Sequence, residues 1–141
     1  MVLIDLQKAF DILDHEVLLG KLKIFGLRKE AIEWFKSYLT NRNLKINLAN
    51  SYSDLGTSDY GVPQGSILGP TLLLLYINDM KSVLQHCDLS LYADDTCILH
   101  SHHDVNNIEF CLNNDFNLLC QWFNDNKLSI HFGEEKTKSI L

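Results

Sequence analysis

The sequence has few of the features that mark secreted proteins, proteins stabilised by structural metal ions, or membrane-spanning proteins. Its four cysteines form no Cys-x-x-Cys pair. In a reducing compartment such cysteines usually serve as small residues of the core. A disulfide or zinc framework is the alternative. The longest apolar run covers residues 72–77, far short of the ~18 to 20 residues that a membrane-spanning helix needs. Asp5 interrupts the apolar start, so no signal peptide is expected. We therefore expect an intracellular protein, in the nucleus or the cytoplasm, with no membrane partner.

Positive charge is also scarce. The net charge is -6, and Arg28 and Arg42 are the only arginines among 141 residues. Nucleic-acid-binding proteins take most of their affinity from Lys and Arg side chains on phosphates, so this balance argues against a free-standing nucleic-acid-binding module. If the chain handles nucleic acid, metal ions or neighbouring segments must supply much of the positive charge.

The length and the 46% hydrophobic content describe one ordinary globular domain. Hydrophobic periodicity predicts strands at 2–6, 44–48, near 55–57 and at 128–131. It predicts helices at 16–25, at 29–39, from 70 to about 84, and from about 104. A hairpin is predicted around 94–95. The strand at 44–48 alternates as a half-buried strand should. The order predicts an α+β fold of the split βαβ (ferredoxin-like) type, an antiparallel sheet with helices on one face.

Two adjacent carboxylates, Asp94 and Asp95, stand between two apolar strand-like runs. A tight hairpin would put both at the turn with side chains on opposite faces, because strand residues alternate. In the split βαβ plan the strand that carries Asp5 can lie beside this hairpin, so that Asp5 and Asp94 meet on the open face of the sheet. Two carboxylates ~4 Å apart repel by about 4 kcal/mol at an effective dielectric near 20, so they usually bring a cation with them. Plain turn chemistry remains the alternative for the pair taken alone.

Four blocks of sequence then form a recognisable pattern. They are Asp5-Leu6-Gln7-Lys8-Ala9-Phe10-Asp11 with Asp14-His15, Gly61-Val62-Pro63-Gln64-Gly65-Ser66-Ile67-Leu68-Gly69-Pro70 with Tyr76-Ile77-Asn78-Asp79, Tyr92-Ala93-Asp94-Asp95, and Leu128 with Lys136-Thr137-Lys138. In order and spacing these blocks resemble the palm of a reverse transcriptase, most closely those of retrotransposons that lack long terminal repeats. The likeness extends over essentially the whole chain.

The resemblance implies an RNA-directed DNA polymerase, which transfers a nucleotide from a dNTP to the 3'-hydroxyl of a DNA primer on an RNA template. Two Mg²⁺ ions ~3.5 to 4 Å apart, or Mn²⁺ in their place, would activate that hydroxyl and relieve the charge on the triphosphate. Carboxylate oxygens are suitable ligands for such hard cations. By resemblance, Asp5 bridges both ions, Asp94 is the second ligand, and Asp95 supports them with a weaker metal contact.

The resemblance also implies residues that bind the nucleotide and the primer. Phe10 would crowd the 2' position of the sugar and so exclude ribonucleotides, although a core aromatic explains Phe10 as well. Gln64 and Gly65 would contact the incoming nucleotide and the template, through a side-chain amide and a close backbone approach. Tyr92 would touch the end of the primer, or only pack beside the turn.

Lys136 or Lys138 would protonate the departing pyrophosphate or neutralise its charge, and a solvated terminal charge is the alternative for either lysine. In the family, a fingers region precedes the first block and a thumb follows the fourth. The sequence leaves no room for either, so we expect residues 1–141 to be a palm fragment of a larger mobile-element polyprotein. Two hypotheses stay open, a catalytic palm and a remnant without turnover.

Overall fold

A computed structural model describes residues 1–49 and 51–131 and the backbone of residues 138–139. The helices are α1 (Ala9–Ile12), α2 (His15–Ile24), α3 (Lys29–Leu39), α4 (Leu68–Ile77), which continues as a 3-10 helix over Asn78–Val83, and α5 (Val105–Asp125). The strands are β1 (Val2–Asp5), β2 (Arg42–Leu44), β3 (Asn47–Leu48), β4 (Ser51–Tyr52), β5 (Gly56–Ser58), β6 (Asp88–Tyr92), β7 (Asp95–Leu99) and β8 (Lys138–Ser139).

An antiparallel sheet of four strands, in the order β6-β7-β1-β8, lies at the centre of the fold. Ile4 and Ile98 point from β1 and β7 to one face, where they are 2% and 0% exposed and join the core built by the helices. Leu3, Asp5 and Cys97 alternate with them and line a cavity on the other face. The α+β class predicted from the sequence is confirmed, and one face of the sheet is left for side chains that do not pack in the core.

Local signals in the sequence set the boundaries of α2. The Asp14 carboxylate accepts hydrogen bonds from the backbone amides of Glu16 (2.9 Å) and Val17 (3.0 Å), as an N-cap residue does. Gly26 follows the helix with φ of 88°, a left-handed conformation that costs glycine little. The predicted helices at 16–25 and 29–39 are therefore confirmed to within a residue or so at each end.

A buried carboxylate holds the segment that leads into β6. Asp115, on α5, is 0% exposed and accepts hydrogen bonds from the backbone amides of Gln85 (3.2 Å), His86 (2.8 Å) and Cys87 (2.7 Å). Burial raises the pKa of Asp115, but these three donors outweigh it, so that the pKa lies below its usual value. The charged form of Asp115 therefore stabilises the packing of the sheet against α5.

The half-buried strand predicted at 44–48 is wrong. Residues 42–58 form two small antiparallel pairs instead, β2 with β5 and β3 with β4. Leu44, Ile46 and Leu48 are 57%, 70% and 75% exposed. Alternation indicates extended backbone, but burial also needs a surface to pack against, and this segment extends away from the core.

The strand predicted at 128–131 is reduced to one isolated bridge between Leu6 and Ile130. Next to this bridge, β8 pairs with Val2 and Leu3 of β1. The helix α1 was not predicted, because Asp11 and Asp14 are typical turn residues and their spacing indicates a turn between them. The helix predicted from residue 70 begins earlier, at Leu68, and its second half is the 3-10 helix.

No helix in the described part of the chain has both the length and the apolar character to cross a membrane. The most apolar one, α4, has ten residues. Gly133 also indicates a turn in the sequence, but it lies outside the described residues.

Candidate active site

Two carboxylates lie side by side on the face of the sheet opposite the core. Asp5 and Asp95 are direct partners in the antiparallel pairing of β1 with β7, and Tyr92 is the partner of Asp95 on β6. Directly opposed residues of an antiparallel pair carry their side chains on the same face, with Cβ atoms roughly 4.5 to 5.5 Å apart. The three side chains line one cavity of about 390 Å³. Tyr92 is 83% exposed, so it is available to a ligand on this face.

Of the two adjacent aspartates, Asp94 lies at the hairpin turn as predicted, whereas Asp95 lies on the strand β7. Asp94 shares the two-residue turn with Ala93, which has φ of 54°, as the primed turns of tight hairpins require. Asp94 is half-buried and is not among the residues that line the cavity of Asp5. The expectation that Asp95 lies on the face away from Asp5 is therefore wrong, because Asp95 is the direct partner of Asp5. The turn begins at Ala93, one residue earlier than expected, so Asp95 is the first residue of β7.

Sequence reasoning missed a histidine that contacts Asp5. The Nδ1 atom of His131 lies 3.5 Å from Oδ2 of Asp5, and the His131 amide donates a hydrogen bond of 2.9 Å to the Asp5 carbonyl. The two side chains are 45% and 23% exposed. The one available signal was the predicted strand at 128–131, which would have placed residue 131 near the edge of β1.

The donor set on this face suits a hard divalent cation. Asp5 and Asp95 supply carboxylate oxygens, which such cations prefer. Within the described residues, no three His, Cys, Asp or Glu side chains are grouped closely enough to hold a metal ion. A cation here would take two protein carboxylates and complete its shell with water or phosphate oxygens. Mg²⁺ is commonly bound in this way, so the residues present fit it.

A second cavity brings together three residues that the sequence linked to nucleotide binding. Phe10, Gln64 and Gly65 line a space of about 350 Å³ in front of α4. Phe10 is half-buried and also packs against the core. Gln64 and Gly65 are exposed at the tip of their loop, and Gly65 has φ of 78°. The cavity therefore combines an aromatic wall, an amide and an accessible backbone.

The loop of Gln64 is fixed to the segment that follows β1. The Gly61 amide donates to the Leu13 carbonyl, and the Val62 amide donates to the Phe10 carbonyl, both at 2.8 Å. Gly61 has φ of 74°, and a Cβ atom there would lie 2.6 Å from the Asp11 carbonyl oxygen. Only glycine permits this approach. The two segments that carry Phe10 and Gln64 therefore form one rigid unit.

Side chains on two elements reinforce this contact. The Gly61 carbonyl accepts hydrogen bonds from Nε2 of His15 (2.7 Å) and from a guanidinium NH₂ group of Arg42 (3.1 Å). Next to His15, the Asp14 carboxylate binds Nζ of Lys127 at 2.6 Å. Burial raises the pKa of Asp14, but Lys127 and the backbone amides at the start of α2 outweigh it, so that this pKa is lowered. The hydrogen bond to Asp14 raises the pKa of Lys127.

Of the two lysines predicted as general acids, Lys136 lies outside the described residues. Lys138 lies in β8, where its backbone pairs with Leu3 of β1. Leu3 is two residues before Asp5, so β8 runs along the edge of the strand that carries Asp5.

Comparison with known proteins agrees with these features. The family described as "Reverse transcriptase (RNA-dependent DNA polymerase)" matches residues 1–141. The chain is 34% identical over 129 residues to "Probable RNA-directed DNA polymerase from transposon BS" of Drosophila melanogaster, a match that covers 86% of this chain and 14% of that protein. It is also 34% identical over 104 residues to "RNA-directed DNA polymerase from mobile element jockey" of Drosophila melanogaster, with 68% of this chain and 11% of that protein covered. The chain thus matches only a small part of the length of these relatives. Because the family match extends over all 141 residues, this chain belongs to the reverse transcriptase family.

Proposed function

We propose that this chain is the catalytic palm of an RNA-directed DNA polymerase, which extends a DNA primer on an RNA template with dNTPs. The observation that carries the proposal is the direct pairing of Asp5 with Asp95 on the face opposite the core. The sheet order β6-β7-β1-β8, with the β6-β7 hairpin beside the first strand, supports the split βαβ palm arrangement.

In the proposed reaction the 3'-oxygen of the primer attacks the α-phosphorus of the dNTP. A new P–O bond forms, the bond from the α-phosphorus to the oxygen of the β-phosphate breaks, and pyrophosphate leaves. The hydroxyl proton passes to water. Two Mg²⁺ ions, or Mn²⁺, would supply activation of the hydroxyl and neutralisation of the phosphate charge. Asp5 and Asp95 would hold these ions from the sheet and Asp94 from the turn, while His131 orients the Asp5 carboxylate.

The remaining residues would bind the substrates. Phe10 would face the sugar and exclude a 2'-hydroxyl by steric clash. Gln64 and Gly65 would contact the incoming nucleotide and the template, and Tyr92 the end of the primer. Lys136 or Lys138, the latter with its backbone paired to β1, would protonate pyrophosphate or offset its charge.

A second hypothesis is a folded remnant without turnover. One observation favours it: the net charge of -6 disfavours binding of a nucleic-acid template. In that case the fold and the family membership hold, but the carboxylates no longer bind catalytic metal ions.

Primer extension on an RNA template with Mg²⁺ or Mn²⁺ distinguishes the two hypotheses. The proteins compared are this chain, a longer protein that includes flanking segments, and the Asp5→Asn and Asp94→Ala variants of both. We expect no extension by residues 1–141 alone, because their net charge of -6 disfavours template binding. We expect extension by the longer protein and its loss in both variants. Extension that survives Asp5→Asn would contradict the proposal, and no extension by the longer protein would support the remnant.

A further inference from the structure

We propose that Asp11 is a positioning residue, which fixes the orientation of the Gln64 side-chain amide at the cavity that Phe10 and Gly65 also line. The proposal concerns a contact within this chain. Its consequence for ligand binding rests on the proposed function, in which Gln64 contacts the incoming nucleotide.

A short hydrogen bond joins the two side chains. Nε2 of Gln64 donates to Oδ1 of Asp11 at 2.7 Å, although the residues are 53 positions apart in the sequence. This distance is at the short end of the range for a nitrogen donor and a charged oxygen acceptor. Asp11 lies on α1, directly after Phe10, so the contact ties the amide to the element that also carries the aromatic wall of the cavity.

The chemistry of the carboxylate decides which way the amide turns. An ionised carboxylate only accepts hydrogen bonds, whereas the Gln64 amide has a nitrogen that donates and an oxygen that accepts. Asp11 therefore selects the orientation with the nitrogen toward α1. The amide oxygen and the second N–H of Gln64 then keep defined positions in which a ligand can meet them.

The backbone around Gln64 is already fixed by other contacts. On one side, the backbone of Gly61 lies so close to the Asp11 carbonyl that a Cβ atom would not fit between them. On the other side, the Ser66 hydroxyl donates to the Pro63 carbonyl at 2.7 Å and accepts from the Gly69 amide at 3.0 Å. The torsions of the Gln64 side chain are the freedom that remains, and the exposed hydrogen bond to Asp11 restricts them. A ligand then does not have to order this side chain on binding.

Two cations line cavities together with Asp11, and each has another partner. Arg42 lines a cavity with Asp11 and Gln64, but its guanidinium donates to the carbonyls of Leu39 (3.1 Å) and Gly61 (3.1 Å). Lys127 lines another cavity with Asp11, and its ammonium binds the Asp14 carboxylate at 2.6 Å. Asp14 and Asp11 therefore make different contacts. Asp14 caps α2 and binds Lys127, while Asp11 accepts a hydrogen bond from Gln64.

NMR spectroscopy of the side-chain amides tests the contact without any need for turnover. The Gln64 resonances of the ¹⁵N-labelled chain are assigned by their loss in Gln64→Leu. We expect them to move toward the positions of free glutamine, with faster motion, in Asp11→Ala and in Asp11→Leu. Asp11→Asn, which keeps an acceptor oxygen, should largely restore the wild-type positions. Asp59→Ala, at an exposed aspartate, is the matched control and should leave them unchanged. Wild-type Gln64 resonances in both Asp11→Ala and Asp11→Leu would overturn the proposal.

Titration of the same proteins with dTTP and Mg²⁺ tests the consequence. We expect Asp11→Ala to weaken dTTP binding by roughly three- to tenfold, the range for one lost hydrogen bond, and Asp11→Asn to bind within about twofold of wild type. If Gln64→Leu binds dTTP as well as wild type while Asp11→Ala still moves the Gln64 resonances, the nucleotide role of Gln64 fails and the positioning role of Asp11 stands. If the resonances do not move, the positioning role fails whatever the dTTP affinity.

Discussion

Asp5 and Asp95 stand directly opposite each other where β1 pairs with β7. Like charges opposed in this way destabilise a sheet. At ~4 Å the repulsion is about 1 kcal/mol in water and about 4 kcal/mol at an effective dielectric near 20. His131 contacts one side of this pair at 3.5 Å. The arrangement is therefore one in which a bound cation would add stability as well as activity.

Removal of one of these charges should stabilise the metal-free protein. We expect Asp95→Asn to raise the free energy of unfolding in EDTA by roughly 1 kcal/mol, because Asp95 is exposed and water screens the repulsion. Urea unfolding followed by circular dichroism measures this. Asp88→Asn is the control, since Asp88 lies on the same sheet but pairs with Lys81 at 3.1 Å. It should be neutral or slightly destabilising. A loss of stability in Asp95→Asn would show that the carboxylates do not repel each other.

Two glycine substitutions should have opposite effects on stability. In Gly61→Ala, the new Cβ would meet the Asp11 carbonyl oxygen at 2.6 Å at a residue with φ of 74°. We expect the free energy of unfolding to fall by roughly 2 kcal/mol or more.

At Gly20, within α2, a Cβ would meet nothing within 4 Å. There, alanine should stabilise the helix by about 0.5 to 1 kcal/mol. Thermal and urea unfolding measure the stability change of each variant. If Gly61→Ala left the stability unchanged, the close contact between Gly61 and the Asp11 carbonyl would be contradicted.

Asp115 should make the stability depend on pH in the acidic range. Its folded pKa lies below the ordinary value of 3.8, because three backbone donors outweigh the effect of burial. Its contribution is therefore fully present above about pH 3.8 and is lost as the pH falls through the folded pKa. We expect Asp115→Asn to cost about 1 to 3 kcal/mol at pH 7, because it leaves buried groups imperfectly paired.

The difference in the free energy of unfolding between wild type and Asp115→Asn should become smaller when urea unfolding is repeated at pH 3. Asp59→Asn, at an exposed position, serves as the control and should show little change at either pH. A difference that stays constant from pH 7 to pH 3 would mean that packing, and not the charge of Asp115, holds the residues before β6.

Phe10 should decide between deoxyribose and ribose if it faces the sugar. We expect Phe10→Ala to raise the affinity for UTP relative to dTTP by roughly tenfold, because the steric block is removed. Phe10→Tyr keeps the bulk and should keep the preference. Since Phe10 also packs against the core, stability is measured in parallel. A loss of stability with an unchanged ratio of UTP to dTTP affinity would assign Phe10 to the core alone.

The sequence predicted those parts of the fold that depend on local chemistry. Asp14 and Gly26 marked the ends of α2, and Asp104 marked the start of α5, where its side chain accepts from the Asn106 amide. The adjacent aspartates located the hairpin correctly. The resemblance to reverse transcriptases assigned Phe10, Gln64 and Gly65 to nucleotide binding, and the structure brings these three to one cavity.

What the sequence could not supply is the exact register. Turn chemistry favours aspartate and disfavours alanine at positive φ, so the turn was expected at Asp94-Asp95, whereas it begins at Ala93. That shift of one residue moves Asp95 to the face of Asp5. The contact of Gln64 with Asp11 depends on how two distant loops pack, and no local pattern encodes it.

Binding of Mn²⁺ to this chain, measured by electron paramagnetic resonance, is the sharpest test of the proposed metal site. We predict that wild type binds Mn²⁺, that Asp5→Asn and Asp95→Asn each lose this binding, and that Asp88→Asn keeps it. Unchanged Mn²⁺ binding in Asp5→Asn and Asp95→Asn would contradict the claim that the opposed carboxylates form the metal site.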